Sequence, residues 1–265
     1  MITLLNGDTF LPAEIKALAY SDDFYYNYLG KHALSSSMLR NIFDSPNRQL
    51  EYLKKEDKET DALIMGKLVH WCFLEPDVFY KKIFVDTPRT NTKEFKEAVE
   101  QHGAQNVYKD KFRAIAEWIC RKLDNNEVIR ELRKKAEIEV PAVDMLGEYP
   151  VRGKADMIVG DTIYDLKTGI STPEEFAKWK INKMNYDLQC YMYLQLFKDA
   201  KHFKFIYINK QTRDIGLIHV PEEVIERGRI KYTMAVEAYK RIFQGKDLDE
   251  IEYSLDQYIY EDDAR

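Results

Sequence analysis

A chain of 265 residues with 45% hydrophobic and 13% aromatic content is long enough to bury a full core, yet no apolar run approaches the roughly 18 residues a membrane helix needs, so no membrane partner is expected. The opening MITLLNGDTF lacks the basic start and apolar centre of a signal peptide, which makes cytoplasmic residence the expectation, and Cys72, Cys120 and Cys190 are too scattered for a disulfide framework or a cluster site and read as core thiols. A net charge of -5 argues against coating nucleic acid by bulk electrostatics, although a groove on an acidic molecule can still be basic.

From Ala33 to Leu53, ALSSSMLRNIFDSPNRQLEYL offers a serine N-cap, an apolar stripe of Met38, Leu39, Ile42 and Phe43, a Ser-Pro break and renewed helix. KKEDKETD, from Lys54 to Asp61, reads as an exposed loop or helix end. ALIMGKLVHWCFLEP is apolar nearly all round and stops at Pro76, which suits a buried helix. Inside it His70 follows Gly66 by four residues, on one face, where a backbone or a substrate could approach. A lone histidine there reads first as a hydrogen-bonded core residue. Lys93 to Lys135 carries helical periodicity, with Phe112, Ile115, Ala116, Ile119 and Leu123 on one stripe.

The period then changes to two. AEIEVPAV, EYPVRGKADMIV and TIYDLKT read as three consecutive strands between about Ala136 and Thr168. A helix is expected from about Asn185 to Lys198, a hairpin over FKFIYINKQTRDIGLIHV, and a helix from Glu222 to Gln244 ended by Gly245. The acidic DLDEIEYSLDQYIYEDDAR reads as a solvated, frayed tail. This order implies an α/β fold with a mixed sheet, fed by helices on its N-terminal side.

The Gly160-Asp161 pair between apolar runs predicts a two-residue hairpin loop. Val159 then faces Thr162, Asp156 falls opposite Asp165, and Lys167 projects from the same side. Like charges set opposite one another need a compensating partner, and a divalent cation such as Mg²⁺ is the obvious one. A lysine beside it could orient or deprotonate the attacking water, or stabilise charge building on phosphorus. The alternative is a surface hairpin screened by water, Lys154 and Lys167. Farther on, Gln189 and Tyr193 share a helix face that could hold a phosphate or a sugar, or form an ordinary amphipathic edge. The run KWKINK, from Lys178 to Lys183, could lie along DNA or be a solvated loop.

Taken together, GKLVHWCFLEP, EIEV, GKADMI, YDLKTG and YDLQCYMY resemble, in the same order and with similar gaps, the exonuclease VIII (RecE-type) branch of the PD-(D/E)xK nuclease superfamily. SSSMLRNIFDSPNRQLEYL is similar to that family's opening element, and the resemblance covers roughly residues 34 to 245. It implies a restriction-endonuclease-like α/β core, a central mixed sheet flanked by helices, with an N-terminal helical elaboration. The whole chain, 1–265, would be one nuclease domain: a mainly helical part to about 135 carrying His70, a catalytic core over about 136–245, and an acidic tail over 246–265. By the same resemblance Asp156 and Asp165 would bind metal, His70 would supply a further ligand, and the Leu166 carbonyl would join them. Lys167 would serve the attacking water, Gln189 and Tyr193 would lie beside the site and contact DNA, and Glu137 and Glu139 are both candidates for an outer acid.

The expected activity is that of a Mg²⁺-dependent exodeoxyribonuclease, with Mn²⁺ able to substitute. It would act on ends of linear double-stranded DNA, 5′-to-3′, in phage-type homologous recombination or DNA repair within a bacterial or phage-infected cell. A homo-oligomer and a single-strand annealing partner are further implications. Two alternatives stay open. A RecB-like or Cas4-like nuclease of other polarity and with an iron–sulfur cluster would need grouped cysteines. A noncatalytic DNA-binding module on the same fold would have lost the acids or the lysine.

Overall fold

Five strands between residues 137 and 219, joined by a short one at 34–35, assemble one mixed six-stranded sheet in the computed structural model of the chain, which describes residues 1–54 and 60–258. A two-residue strand, β1 (Leu34–Ser35), lies parallel to part of β3 (Tyr149–Val159). β2 (Glu137–Leu146), β3 and β4 (Thr162–Gly169) follow one another antiparallel. β5 (His202–Asn209) runs parallel to β4, and β6 (Ile215–His219) returns antiparallel to β5, as expected of the second hairpin. The parallel step from β4 to β5 requires a crossover, and residues 170–201 supply it.

Helices cover both faces, which is why the strands are apolar on both sides. They are α1 (Ser36–Asp44), α2 (Pro46–Lys54), α3 (Asp61–Leu74), α4 (Asp110–Asn125), α5 (Tyr186–Leu196), α6 (Glu222–Ile242) and α7 (Leu248–Asp256). Along β5, Phe203, Phe205 and Tyr207 pack with α1, α5 and α6, while Ile206 and Ile208 pack with α3 and α4 on the other face. A third cluster joins Ile2, Leu4, Ile15 and Leu29 to Val143 of β2, tying the N-terminal residues to the sheet edge. The three cysteines are buried free thiols. Among the described residues no helix is long and apolar enough to cross a membrane.

The helix ends follow the sequence closely in the first half. Ser35 accepts the Met38 amide at the start of α1, and Pro46 opens α2 after the break at Ser45. Residues 55–59 of the charged KKEDKETD run lie outside the described residues; Lys54 closes α2, and Thr60 caps α3 by accepting the Leu63 amide.

Two expectations need correction. The stretch from Lys93 to Lys135 is not one helical run: Gly103, at φ 80°, ends the helix Lys93–His102, and Val107–Lys109 pairs in parallel with Ile83–Val85 before α4 begins. Within α4 the stripe is Phe112, Ala116, Ile119 and Leu123, all buried, whereas Ile115 is 41% exposed. The acidic tail is also structured in part. Asp247 and Glu250 form a capping box that starts α7, whose Ile251 is buried in the core; residues 259–265 lie outside the described residues.

Candidate active site

The hairpin that carries the acids keeps its expected register for three pairs and then opens. Gly160, at φ 59°, makes the turn, and Val159 faces Thr162, Ile158 faces Ile163 and Met157 faces Tyr164. There the ladder ends. Asp156 and Asp165, next in that register, are not joined main chain to main chain; instead Asp156 Oδ2 accepts the Leu166 amide at 2.7 Å. Farther along the same strand, Val151 and Arg152 pair with β1. Residues 153–156 therefore sit in a fork, where β3 has lost one neighbour and not yet met the other.

Across from the fork, on β2, lies Glu139. Its φ of 52° is left-handed, a backbone state that costs an L-residue on the order of 1–2 kcal/mol. Pairing resumes in the same register on both sides, Ile138 with Met157 and Val140 with Ala155, so only Glu139 and Asp156 drop out. The kink changes which way the strands present their side chains. Ala142 and Ala155 pack on the α5–α6 side, but Ile138 and Met157 pack on the α3–α4 side, although period two would keep each strand's pair on one face.

His70 of α3 meets this break. Its Nδ1 lies 3.5 Å from Asp156 Oδ2, and its Nε2 lies 2.9 Å from the Leu166 carbonyl oxygen. One ligand atom each from His70, Glu139 and Asp156 lies within 4.8 Å of the other two. Glu137 stands apart, exposed at the end of β2 beside Ile158, so of the two glutamates only Glu139 joins the group. Gly66 does not serve a close protein approach: a Cβ added there would meet nothing within 4 Å.

Asp165 belongs to an adjoining set. It is buried, its Oδ1 accepts from Gln189 Nε2 at 2.6 Å, and its Oδ2 lies 2.5 Å from the Lys167 ammonium. Gln189 Oε1 in turn lies 3.5 Å from the Arg40 guanidinium, and Arg40 and Lys167 both lie over the ring of Tyr186, at 4.8 and 5.0 Å. Tyr193 is buried, and its hydroxyl donates at 3.1 Å to the Lys154 carbonyl within the fork. Gly153 makes room for that ring, since a Cβ there would come within 2.9 Å of it. Lys154 Nζ lies 3.5 Å from Glu139 Oε2 and 3.0 Å from Asp22 Oδ1. Arg40, Asp22 and Lys154 were not anticipated as part of the site. Lys154 carried a readable signal, standing two residues before Asp156 on one strand; Arg40 and Asp22 carried none.

Residues 35–251 match the family model described as a PDDEXK-like domain of unknown function, DUF3799. The chain belongs to this PDDEXK-like family. A solved structure from Eubacterium rectale, named "Putative exonuclease", superposes over 91% of this chain and 87% of that one at a TM-score of 0.62 and 18% identity, a likeness of fold. A second, SSO0001, covers 71% of this chain and 83% of that one with 19% identity, and its TM-score of 0.29 supports no comparison. No curated protein matches the chain.

PDDEXK-like nucleases generally use divalent metals, and the donor set here fits one: a ring nitrogen and carboxylate oxygens, with the Leu166 carbonyl beside them. Bonds of roughly 2.1 Å to a small dication would span at most about 4.2 Å between ligands, so the three side chains need close only slightly. Without the cation the acids are ill at ease. Burial, and then the neighbouring Asp156, pushes Glu139 up to about 8. Burial likewise raises Asp156, against the pull of His70 and with a further push from Asp165. A bound dication would supply the missing positive charge, drawing electrons from a phosphate and making water a better nucleophile.

Lys167 is tuned in the opposite sense. Burial would lower its ammonium, but Asp165, Tyr186 and Asp156 more than offset this, and it is held above the ordinary lysine range. In the metal-free fold it stands as an ammonium paired with Asp165. A cation so placed can orient a water or meet charge developing on a phosphate. Gln189 fixes Asp165 from the far side, and Tyr193 holds β3 in its forked position.

Proposed function

We propose that this PDDEXK-like chain is a Mg²⁺-dependent exodeoxyribonuclease that hydrolyses phosphodiester bonds in linear double-stranded DNA. The observation that carries the reading is the convergence of His70, Glu139 and Asp156 within 4.8 Å, beside the Asp165–Lys167 pair. Those groups supply what phosphodiester hydrolysis requires: oxygen and nitrogen donors for a dication, and a separate cation for the reacting phosphate. Asp165 would turn toward the metal as it binds, with the Leu166 carbonyl completing the donor set. The resemblance to RecE-type nucleases supports 5′-to-3′ polarity, a homo-oligomeric assembly and a place in recombination or repair.

End-labelled linear duplex and closed circular duplex, each with Mg²⁺ or with EDTA, test the proposal. Release of short labelled products from the 5′-labelled linear DNA, dependent on Mg²⁺ and absent from the circle, is expected. Equal cutting of the circle would make the enzyme an endonuclease. No cleavage of either DNA with Mg²⁺ or Mn²⁺ would leave a noncatalytic module.

A further inference from the structure

Between β4 and α5 the chain makes an unusual wide turn. Thr172 and Glu175 form a capping box, and residues Phe176–Lys180 then take π-helical geometry, with the Ile181 amide donating to the Phe176 carbonyl five residues back. Such turns are rare and are found often at functional sites. Here its local cause is visible. Phe176 stacks on Tyr207 with ring centroids 4.3 Å apart, and Ile181 is also buried. In an α-helix residues five apart face different ways; the wider turn lets both be buried. What lies between them is turned out. Trp179 is 61% exposed, with the Lys178 ammonium 5.4 Å from its ring.

The mount is firm at its other end too. Lys231 of α6 donates to the Asn182 carbonyl and side chain at 2.9 and 2.8 Å, to Asn185 at 2.8 Å, and to the buried Asp187 at 3.0 Å. Residues 176–183, FAKWKINK, hold Lys178, Lys180 and Lys183 and no acid, in a chain whose net charge is -5. None of these three lysines forms an ion pair among the described residues. The turn is also close to the site: the Tyr186 ring lies 5.9 Å from that of Phe176 and has Lys167 5.0 Å from its centre.

A large aromatic face held open on a rigid turn, with the Lys178 ammonium beside it and Lys180 and Lys183 on the same short segment, matches a base and its flanking phosphates. Bases in a duplex are already stacked on both sides, so the matching partner is an unpaired stretch. The geometry points to Trp179 as a stacking platform for single-stranded DNA, with Lys178, Lys180 and Lys183 along its backbone. The choice of DNA as the occupant rests on the proposed nuclease reading.

The test uses the full chain in EDTA, so that no cleavage intrudes, titrated with an oligothymidylate of about 12 nucleotides, within the usual size of single-strand sites. Tryptophan fluorescence should be quenched on binding. W179A should lose that quench and bind about tenfold or more weakly, while W179F keeps most of the affinity. K180A/K183A should lower the slope of log affinity against log salt by about 1.4. Parent-like affinity and quenching in W179A would overturn the proposal, as would absence of binding by the parent. So would a W179A variant whose mass by light scattering falls while its DNA affinity is unchanged, because Trp179 would then serve contacts between copies of the chain. A chain that never cleaves DNA yet binds through Trp179 would sink the nuclease reading and leave the platform; a cleaving chain indifferent to Trp179 would do the reverse.

Discussion

Asp156 is bonded to Leu166 side chain to main chain, Oδ2 taking the amide at 2.7 Å, at the level where the hairpin ladder gives out. One carboxylate thus closes the fork and faces His70 with the same oxygen, 3.5 Å from Nδ1. Fold and candidate site share this residue, and the bridge to Leu166 can be separated from the metal-binding duty proposed for it.

D156N keeps an oxygen that can accept from the Leu166 amide but gives up the charge a dication needs. It should melt within a few degrees of the parent and show no Mn²⁺ binding by calorimetry. D156A orphans a buried N–H as well, which costs about 1–3 kcal/mol. For a chain of this size that is a fall in melting temperature of roughly 2–12 °C. If D156N binds Mn²⁺ as the parent does, Asp156 is a structural bridge alone.

Glu139 makes the metal-free protein sensitive to pH. Its carboxyl is held up at about 8 in the fold, by burial first, against an ordinary value of 4.5. Between those values the folded state keeps a proton that the unfolded chain has lost. Stability in EDTA should therefore decline as pH rises from about 4.5 to about 8 and be fully diminished above that. A dication favours the ionised form, so the rise in melting temperature on adding Mg²⁺ should be larger at pH 8 than at pH 6. E139Q should flatten the decline. Thermal melts across this range, with parallel curves for parent and E139Q, would show that Glu139 does not titrate there.

Gly228 sets how closely α6 approaches α5. A Cβ at this position would lie 2.1 Å from the Asp187 carbonyl oxygen and 2.6 Å from its carbon, both backbone atoms that cannot swing aside. G228A should force the helices apart at a cost of about 1–3 kcal/mol, read as a lower melting temperature. Gln189, two residues along α5, would move with it and loosen its 2.6 Å bond to Asp165. Mn²⁺ affinity, set mainly on α3, β2 and β3, should change much less than cleavage rate. An unaltered melting temperature would mean that the two helices are not locked at this point.

The register of the hairpin was legible because a Gly-Asp loop between apolar runs fixes it locally, and His70 was legible through its place in the GKLVHWCFLEP resemblance. The fork was not. It depends on β1, a two-residue strand more than a hundred residues upstream, whose existence is decided by tertiary pairing. Nor could Glu137 and Glu139 be told apart, since period two puts both on one side; the left-handed kink at Glu139 breaks that rule, and no local propensity announces it in a glutamate. Arg40 lies on a helix whose apolar stripe was clear, but nothing in SSSMLRNIF says that this guanidinium faces Gln189 across the fold.

Lys167 offers the sharpest test of mechanism, because two roles for it predict different variants. As a fixed charge, the role its pairing with Asp165 suits, it should be replaceable in part, and arginine at the same position should retain part of the rate. A general base would have to shed its proton, which arginine does not do in proteins. K167M keeps the apolar stem and loses the charge. Its chemical step should fall about 10²–10³-fold in single-turnover assays with saturating Mg²⁺, as for removal of one preorganised donor. Leaving Asp165 buried without its counter-ion should also lower stability by about 3–5 kcal/mol, so assays belong below the variant's own melting range. Oligonucleotide binding in EDTA should change little. Equal loss of rate in K167R and K167M would favour proton transfer or an exact steric requirement over charge, and cleavage by K167M at the parent rate would remove Lys167 from the chemistry altogether.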